Sequence, residues 1–568
     1  MAAENPDPID PTLYLNRWIA LVRGRVVGVG LTKAQAYRAA MQVRAKDKPL
    51  LRFVDAEGQV KTVDPDQLDL PGWVADQPLL SNVIKILQTH QIEAFLVGGA
   101  VRDLLLGRET IVDLDFALPG NGLNAAKIVA NAMKAAYYPL DPERGTGRVV
   151  YEIEGPHGVE KNHLDFATFR GADLRADLTD RDFTINAMAL RLSDPPELID
   201  PLQGQHDLRQ KTIRVAADSA FQDDPVRILR AVRQAAQFEF DLEPHTQQLL
   251  QAAAATMPTI SGERQRDELL KLLNTPRPGP AMQALHQFEV LPHLLPEVAT
   301  LAGVTQSPPH HLDVWEHTLA ALTAWTNLAA AGFSNVAPEL RAAVQQYFDE
   351  ALAGEMTRRS LMPLALLLHD SGKPLTRTEE LTPDGGSLRI RFLGHEQKST
   401  ELARAVMHRF HFSSQAISFV TTVVAHHMRP LSLAQAGSLS RRAIYRFFRD
   451  SKRGGSAAGP ATVLHAWADH LATYPTGQGQ QAGQALSQVV DTLLTAFFAR
   501  QNEMIEPPPL LTGRDLIKML ALSEGRLIGL LLNRLKEAQA VGQVTDQAEA
   551  LAFVEADPDF VRHRAGQP

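Results

Sequence analysis

The spacing of apolar residues changes once along the chain. Up to about residue 215, short runs alternate apolar and polar positions, the period of half-buried strands, with helical stretches between them. WIALVRGRVVGVG predicts a hairpin, LTKAQAYRAAMQVRA a helix opened by Thr32, and PLLRFVDAEGQVKTV a second hairpin. DLPGWVADQP predicts a linker. There follow a helix (SNVIKILQTHQI), a strand (AFLVGG), a helix (VRDLLLG) and a strand (VDLDFAL). GRVVYEI and KNHLDFATF predict two paired strands, and DFTINAMALRL begins a further element. From about 220 onward apolar residues fall at i, i+3, i+4 and i+7, as in DDPVRILRAVRQAAQF and ERQRDELLKLL, and nearly everything predicts helix. Ser451–Pro460 and Tyr474–Gly483 are low in complexity and predict loops.

At 568 residues the chain is too long for one core. No signal peptide and no apolar run of bilayer length stand out, so a cytoplasmic protein without a membrane partner is expected. With no cysteine, any metal must be held by His, Asp and Glu. The net charge of −8 gives no global case for nucleic-acid binding. Locally, Arg17–Lys61 holds ten Lys/Arg against three Asp/Glu, which suits either an RNA contact or a solvated face.

Asp113 and Asp115 in VDLDFAL would project from one face of a strand. Beside them Gly98 and Gly99 form a turn whose backbone N–H groups can approach phosphate. Two carboxylates next to such a turn are what two-metal phosphoryl or nucleotidyl transfer requires, although a solitary Asp-x-Asp is more often merely solvated. Asp165 in KNHLDFATFR could complete a carboxylate cluster for two Mg²⁺ ions. Arg227, Arg230 and Arg233 recur every three residues along a mostly apolar helix, and such a stripe calls for an anion, triphosphate or RNA.

In order along the chain stand the GGAVRD turn, the Asp-x-Asp strand, RDFTINA, and Asp200-Pro201-Leu202-Gln203-Gly204 with Asp207-Leu208. The DDPVRILRAVR helix and SGERQRDELLKLL follow. From about Phe95 to Leu273 this set resembles the class II nucleotidyltransferases, the tRNA CCA-adding enzymes and bacterial poly(A) polymerases. The resemblance implies an α+β polymerase-β-like head followed by an all-α neck, an HD-type helical body and a helical tail, here behind a small α+β N-terminal module. It implies that Gly98, Gly99, Arg102 and Arg181 hold the triphosphate. Asp113 and Asp115 would bind Mg²⁺, helped by Asp165. Asp224 and Arg227 would present hydrogen bonds to the incoming base, so that the protein selects CTP or ATP. Two departures stand out. Asp180 replaces the first of two arginines usual before the aspartate of RDFTINA. Only GADLRADLTD separates Phe169-Arg170 from Arg181, where relatives that add the complete CCA carry a long flexible loop. Relatives that add CC alone lack most of it, so both products stay open.

Histidines collect in the second half, in WEHT, LHDSGK, FLGHE, AHHMRP and HAWAD. A lone helical His is usually a core residue, but an ordered series around an adjacent His-Asp pair suits Mn²⁺, Fe²⁺, Ni²⁺ or Zn²⁺ with open positions for water. Residues 308–475 resemble an HD-type metal phosphohydrolase domain. By that resemblance His317, His369, Asp370 and Asp469 form a basic site, and His395 with one or both of His426 and His427 holds a second metal. Pro508–Gly529 resembles the C-terminal segment of the same enzymes, where glycines could let a helix N-terminus approach RNA phosphate or simply make turns.

The expected organisation is a basic module of unknown role (1–72), the nucleotidyltransferase head (79–215), a helical neck binding nucleotide and RNA (216–300), the HD-type domain (308–475) and a helical tail (485–568). The expected function is template-independent addition of CCA, or only CC, to tRNA 3′ ends from CTP and ATP, with a phosphohydrolase as second activity. The alternatives are a poly(A) polymerase on the same scaffold and an HD phosphohydrolase with an RNA-binding head. Oligomeric state, the HD metal and the HD substrate stay open.

Overall fold

The computed structural model describes residues 11–14, 17–22, 25–30, 33–43, 50–54, 60–61, 70–108, 113–155, 158–354, 356–381, 386, 388–437, 439–452, 457–474 and 477–564. It forms two compact units, residues 1–223 with 241–246, and residues 224–240 with 247–568.

The first unit begins with β1 (Arg17–Val22), β2 (Arg25–Gly30), α1 (Lys33–Val43), β3 (Leu50–Val54) and β4 (Val60–Lys61), in an antiparallel sheet of order β2-β1-β3-β4. Ala36 and Ala40 of α1 pack on Trp18 and Ala20. Both expected hairpins are present; Thr32, the expected helix opener, and Arg23, Arg44, Lys46 and Lys48 of the basic segment lie outside the described residues. The expected linker is instead partly a helix, α2 (Leu70–Ala75). Pro71 and Gly72 fall in its first turn, where proline's missing N–H has no helical partner to lose.

After α3 (Pro78–Thr89) come β5 (Phe95–Val97), α4 (Gly99–Leu105), β6 (Asp113–Leu118) and α5 (Gly122–Met133). Then follow β7 (Ala136–Asp141), β8 (Thr146–Gly155), β9 (Gly158–Thr168), α6 (Leu174–Thr179), β10 (Ala189–Arg191), β11 (Glu197–Ile199) and α7 (Gly204–Gln210). The seven strands form one mixed sheet, β11-β10-β5-β6-β9-β8-β7, in which only β6 and β9 are parallel neighbours. The unit closes with a parallel pairing of residues 212–213 and 241–242.

The second unit is helical among its described residues, apart from short two-stranded hairpins. Its chemistry-bearing helices are α8 (Val226–Phe238), α9 (Gly262–Leu273), α10 (Val314–Ala330) and α11 (Arg358–Leu368), then, beyond the hairpin β12 (Thr378–Leu381)–β13 (Leu388–Arg391), α12 (His395–Arg409), α13 (Ser414–His426) and α14 (Gly459–Thr473). α15 (Gln480–Phe498) starts inside the expected loop Tyr474–Gly483, of which residues 475–476 lie outside the described set, as do 453–456 of the other expected loop. At the start of α16 (Gly513–Leu520) Thr512 and Asp515 form a reciprocal capping box, so a protein carboxylate already accepts from the Thr512 N–H there. No described helix is long and apolar enough to cross a membrane.

Candidate functional site

In the head, β6 buries Leu114, Phe116 and Leu118, and Phe116 stacks on Phe166 of β9 with ring centres 4.6 Å apart. Alternation then puts Asp113 and Asp115 together on the other face, where both are exposed. Register sets Asp165 beside Asp115 and His163 beside Asp113, with His163 Nδ1 3.4 Å from Asp113 Oδ1. The three carboxylates therefore stand together at the ends of neighbouring strands, but Asp165 is already partnered. Arg148, opposite Asp165 on β8, donates from Nε and Nη2 to its two oxygens at 2.8 and 2.7 Å. A guanidinium fork occupies both oxygens of a carboxylate, so the acids open to a cation are Asp113 and Asp115. Protein around the Asp115 carboxyl displaces enough bulk solvent to raise its pKa above the usual range; Arg181 opposes this, while Asp165 and Asp113 add to it. Crowded hard oxygens of this kind fit Mg²⁺.

Gly98 has φ +74°, and a Cβ there would stand 3.1 Å from Arg181 Nη1 and 3.7 Å from Asp115 Oδ2. Glycine thus lets the backbone turn into α4 and lie against the acids. Arg102, close over Gly99, donates from Nη1 to Asn186 Oδ1 at 2.6 Å, and Asn186 donates to Asp182 at 2.9 Å. Arg181 Nη2 donates to buried Asp177 at 3.2 Å. Gly98, Gly99, Arg102, Arg181 and the two acids therefore meet at one end of the sheet. Asp200 and Asp207 are scaffold: Asp200 accepts from the N–H groups of Gly204 and Gln205, and Asp207 accepts from Thr184 and Arg214. Asp180, the departure from the family pattern, pairs with Arg170. Arg148, His163, Asp177 and Asn186 were not singled out from the sequence.

Asp224, Arg227, Arg230 and Arg233 belong to the second unit. Asp224 Oδ2 accepts from Arg264 at 2.7 Å, and Arg227 is buried in the first turn of α8. Arg233 Nε donates to Glu268 Oε2 of α9 at 2.7 Å, and Arg230 Nη1 lies 3.7 Å from Oε1. For two of the three arginines, the anion demanded by the stripe is thus a buried side chain of the neighbouring helix.

The histidines converge. α10 carries His317, α11 runs into His369 and Asp370, α12 opens at His395, α13 runs into His427, and α14 carries His465 and Asp469. Two donor groups, His317–His369–Asp370 and Asp370–His395–His427, each gather their ligand atoms within 4.8 Å and share Asp370. Asp469 Oδ1 accepts from His317 Nε2 at 2.7 Å. Nδ1 of His369, His395 and His427 each donates to a carbonyl three residues earlier, at 2.7, 2.8 and 2.7 Å. That places the proton on Nδ1 and turns the Nε2 lone pair inward. Nε2 of His395 and Nε2 of His427 then face each other at 3.3 Å, two acceptors with no proton between them. Buried Asp370 has Lys373 (2.6 Å) and His369 (3.1 Å) within ion-pair reach of Oδ2, and His395 (3.4 Å) within reach of Oδ1. Opposed lone pairs beside a buried carboxylate are what a divalent cation relieves, and imidazole with carboxylate suits a first-row transition ion.

Burial pushes the His427 pKa down to about 3, keeping it in the neutral, ligating form. Burial works against ionised Asp469, but the His317 hydrogen bond overcomes it and holds the carboxyl below its usual range. His426 is in neither donor group. His427 takes the inward place, its ring fully buried and its Nδ1 tied to the Val424 carbonyl, while His426 is only half-buried. A cavity of about 740 Å³ opens on Asp370, His395, His427 and Asp469, with Lys373, Arg389 and Arg391 also lining it. The sequence signal for Lys373 was its place one helical turn after Asp370; His465, four residues before Asp469, lay in a quoted motif but was not chosen.

The family model described as "Poly A polymerase head domain" matches residues 94–214, and that described as "Probable RNA and SrmB- binding site of polymerase A" matches 239–301. The A-adding tRNA nucleotidyltransferase of Deinococcus radiodurans is 33% identical over 471 residues, covering 81% of this chain and 95% of the relative. The CC-adding tRNA nucleotidyltransferase of Thermus thermophilus is 33% identical over 474 residues, covering 81% and 93%. Among solved structures, a CCA-adding enzyme in complex with ATP superposes with a TM-score of 0.57 at 23% identity, over 86% of this chain and 98% of that one.

Proposed function

The chain belongs to the tRNA nucleotidyltransferases with a poly(A) polymerase type of head, and from that premise we propose that it adds CC, from CTP, to tRNA 3′ ends. The observation that carries this reading is the short connection from β9 to Arg181. Asp173 caps α6 within it, and buried Asp177 accepts from the Arg170 N–H at one end and Arg181 at the other. The resemblance assigns full CCA addition to relatives with a long loop at this place. A second reading, addition of the terminal A, is favoured by the Deinococcus radiodurans relative.

In this reading the tRNA 3′-hydroxyl attacks the α-phosphorus of CTP and pyrophosphate leaves. Asp113 and Asp115 would hold Mg²⁺, which when bound supplies charge neutralisation and a lowered hydroxyl pKa. Arg102, Arg181 and the N–H groups of the Gly98–Gly99 turn would grip the triphosphate, and Arg148 would hold Asp165 in place beside the pair. Residues 216–300 would serve as neck, with Asp224 and Arg227 offered to the base edge. The deciding experiment supplies CTP and ATP, singly and together, to tRNA transcripts ending at the discriminator base, C or CC. A stop at CC is expected. Addition of A to CC-ended tRNA alone establishes the second reading, growth to CCA shows that no long loop is needed, and long A tails reveal a poly(A) polymerase.

We propose further that residues 308–475 form an HD-type metal phosphohydrolase, supported by the two donor groups that share Asp370 at the edge of a basic-lined cavity. Phosphate release from a simple phosphomonoester or a 2′,3′-cyclic nucleotide with Mn²⁺, Co²⁺ or Ni²⁺ should be lost in Asp370→Asn; hydrolysis retained in that variant would place it elsewhere.

A further inference from the structure

The ring of His465 is completely buried, and neither of its nitrogens has a hydrogen-bonding partner. Buried polar groups are nearly always paired, and an imidazole orphaned at both nitrogens is costly to fold around. Its neighbours offer no remedy. The ring centres of His369 and His427 lie 5.1 and 5.6 Å away, and both of those rings have already spent their N–H on a carbonyl. What these rings hold toward the interior when neutral is lone pair, which leaves the acceptor nitrogen of His465 without a donor. One turn along α14 from His465 stands Asp469, on the same helix face and bonded to His317.

The ring spacing carries the argument further. Two imidazoles bound to one ion at about 2.1 Å hold their ring centres on the order of 5 Å apart. The proposed ligand pairs His317/His369 and His395/His427 stand at 5.7 and 5.2 Å. His465 keeps the same spacing to one ring of each donor group, and so sits at the seam between them.

We propose that His465 is a further imidazole donor of the metal centre, binding a first-row divalent transition ion together with His369 or His427. The assignment rests on the metal-centre reading given above. It makes the centre richer in nitrogen than the His-Asp motif alone suggests, favouring Co²⁺, Ni²⁺, Fe²⁺ or Zn²⁺ over Mg²⁺.

The test is Co²⁺ uptake by the full chain, stripped of metal and titrated against a competing chelator, with the visible spectrum of bound Co²⁺ recorded alongside elemental analysis. His465→Leu removes the donor at similar volume, and His465→Gln keeps a polar group; thermal melts confirm that both fold. We expect each variant to lose an ion or bind it at least about tenfold more weakly, with a changed Co²⁺ spectrum that reports the missing nitrogen. Wild-type affinity and spectrum in both folded variants overturns the assignment. Weaker binding with an unchanged spectrum also overturns it, leaving His465 a packing residue behind the ligands. If the wild-type chain takes up no Co²⁺ at all, the metal-centre reading itself fails and His465 falls with it.

Discussion

At the scale of single residues, the head sets stability against function. Folding raises the Asp115 pKa, so the native state holds that proton more tightly than the unfolded chain does, and stability is lost as pH rises from the unfolded to the folded value, the full cost being present above both. Asp115→Asn should therefore raise the melting temperature at neutral pH while lowering nucleotide addition by at least about 10³-fold. Melting curves and single-turnover incorporation check the two halves, and near-native incorporation would remove Asp115 from the mechanism. Gly98→Ala forces a side chain into a left-handed turn against Arg181, at a cost of about 1–3 kcal/mol, and should raise KM for the nucleotide; unchanged stability and KM would contradict the close approach. Spacing alone placed the two acids on one strand face beside the glycine turn, while the metal- and phosphate-binding roles came from the resemblance. Arg148 was not legible, because its place opposite Asp165 depends on the register of a hairpin, and a one-residue slip would turn it to the other face. Likewise nothing in His426-His427 says which ring turns inward.

At the scale of elements, hydrophobic period revealed most helices and strands, and what it hid were partners. Three arginines on α8 read as a ligand-seeking stripe because Glu268 lies 35 positions after Arg233 on another helix. Glu268→Ala should leave Arg233 buried without its anion and destabilise the second unit by about 3 kcal/mol, with Glu268→Gln less severe. Denaturant unfolding decides this, and a change below about 0.5 kcal/mol would mean the pair is only a surface contact. The helix α2 escaped notice because Pro71 and Gly72, turn residues by composition, are tolerated in a first helical turn.

At the scale of the whole molecule, the two proposed metal sites lie in two different compact units. Asp370→Asn should abolish metal-dependent hydrolysis while CTP incorporation stays within about twofold of wild type, and loss of both would show the two to be coupled. Acid should act on the metal-free second unit through buried histidines that fold neutral, opposed by His369, where burial lowers the pKa but neighbouring Asp370 and Asp469 raise it above its usual value. Burial lowers His310 to about 4 and His427 to about 3, so both fold as neutral rings. Their contribution is complete above the unfolded value of about 6.5, and each costs about 1.4 kcal/mol per pH unit as pH falls from there toward its folded pKa. Melts between pH 7.5 and 5 should record the loss, and a flat profile would indicate that the rings are already solvated. The carbonyl tethers on His369, His395 and His427 have a consequence for how the centre is filled. Zinc-finger-like domains assemble their ligands only when the ion arrives, whereas these three rings are already clamped by the backbone of their own helix ends. Ion uptake should then be set by how fast a hydrated cation sheds water on entering, not by any refolding step, and ions should exchange in and out of a scaffold that stays assembled.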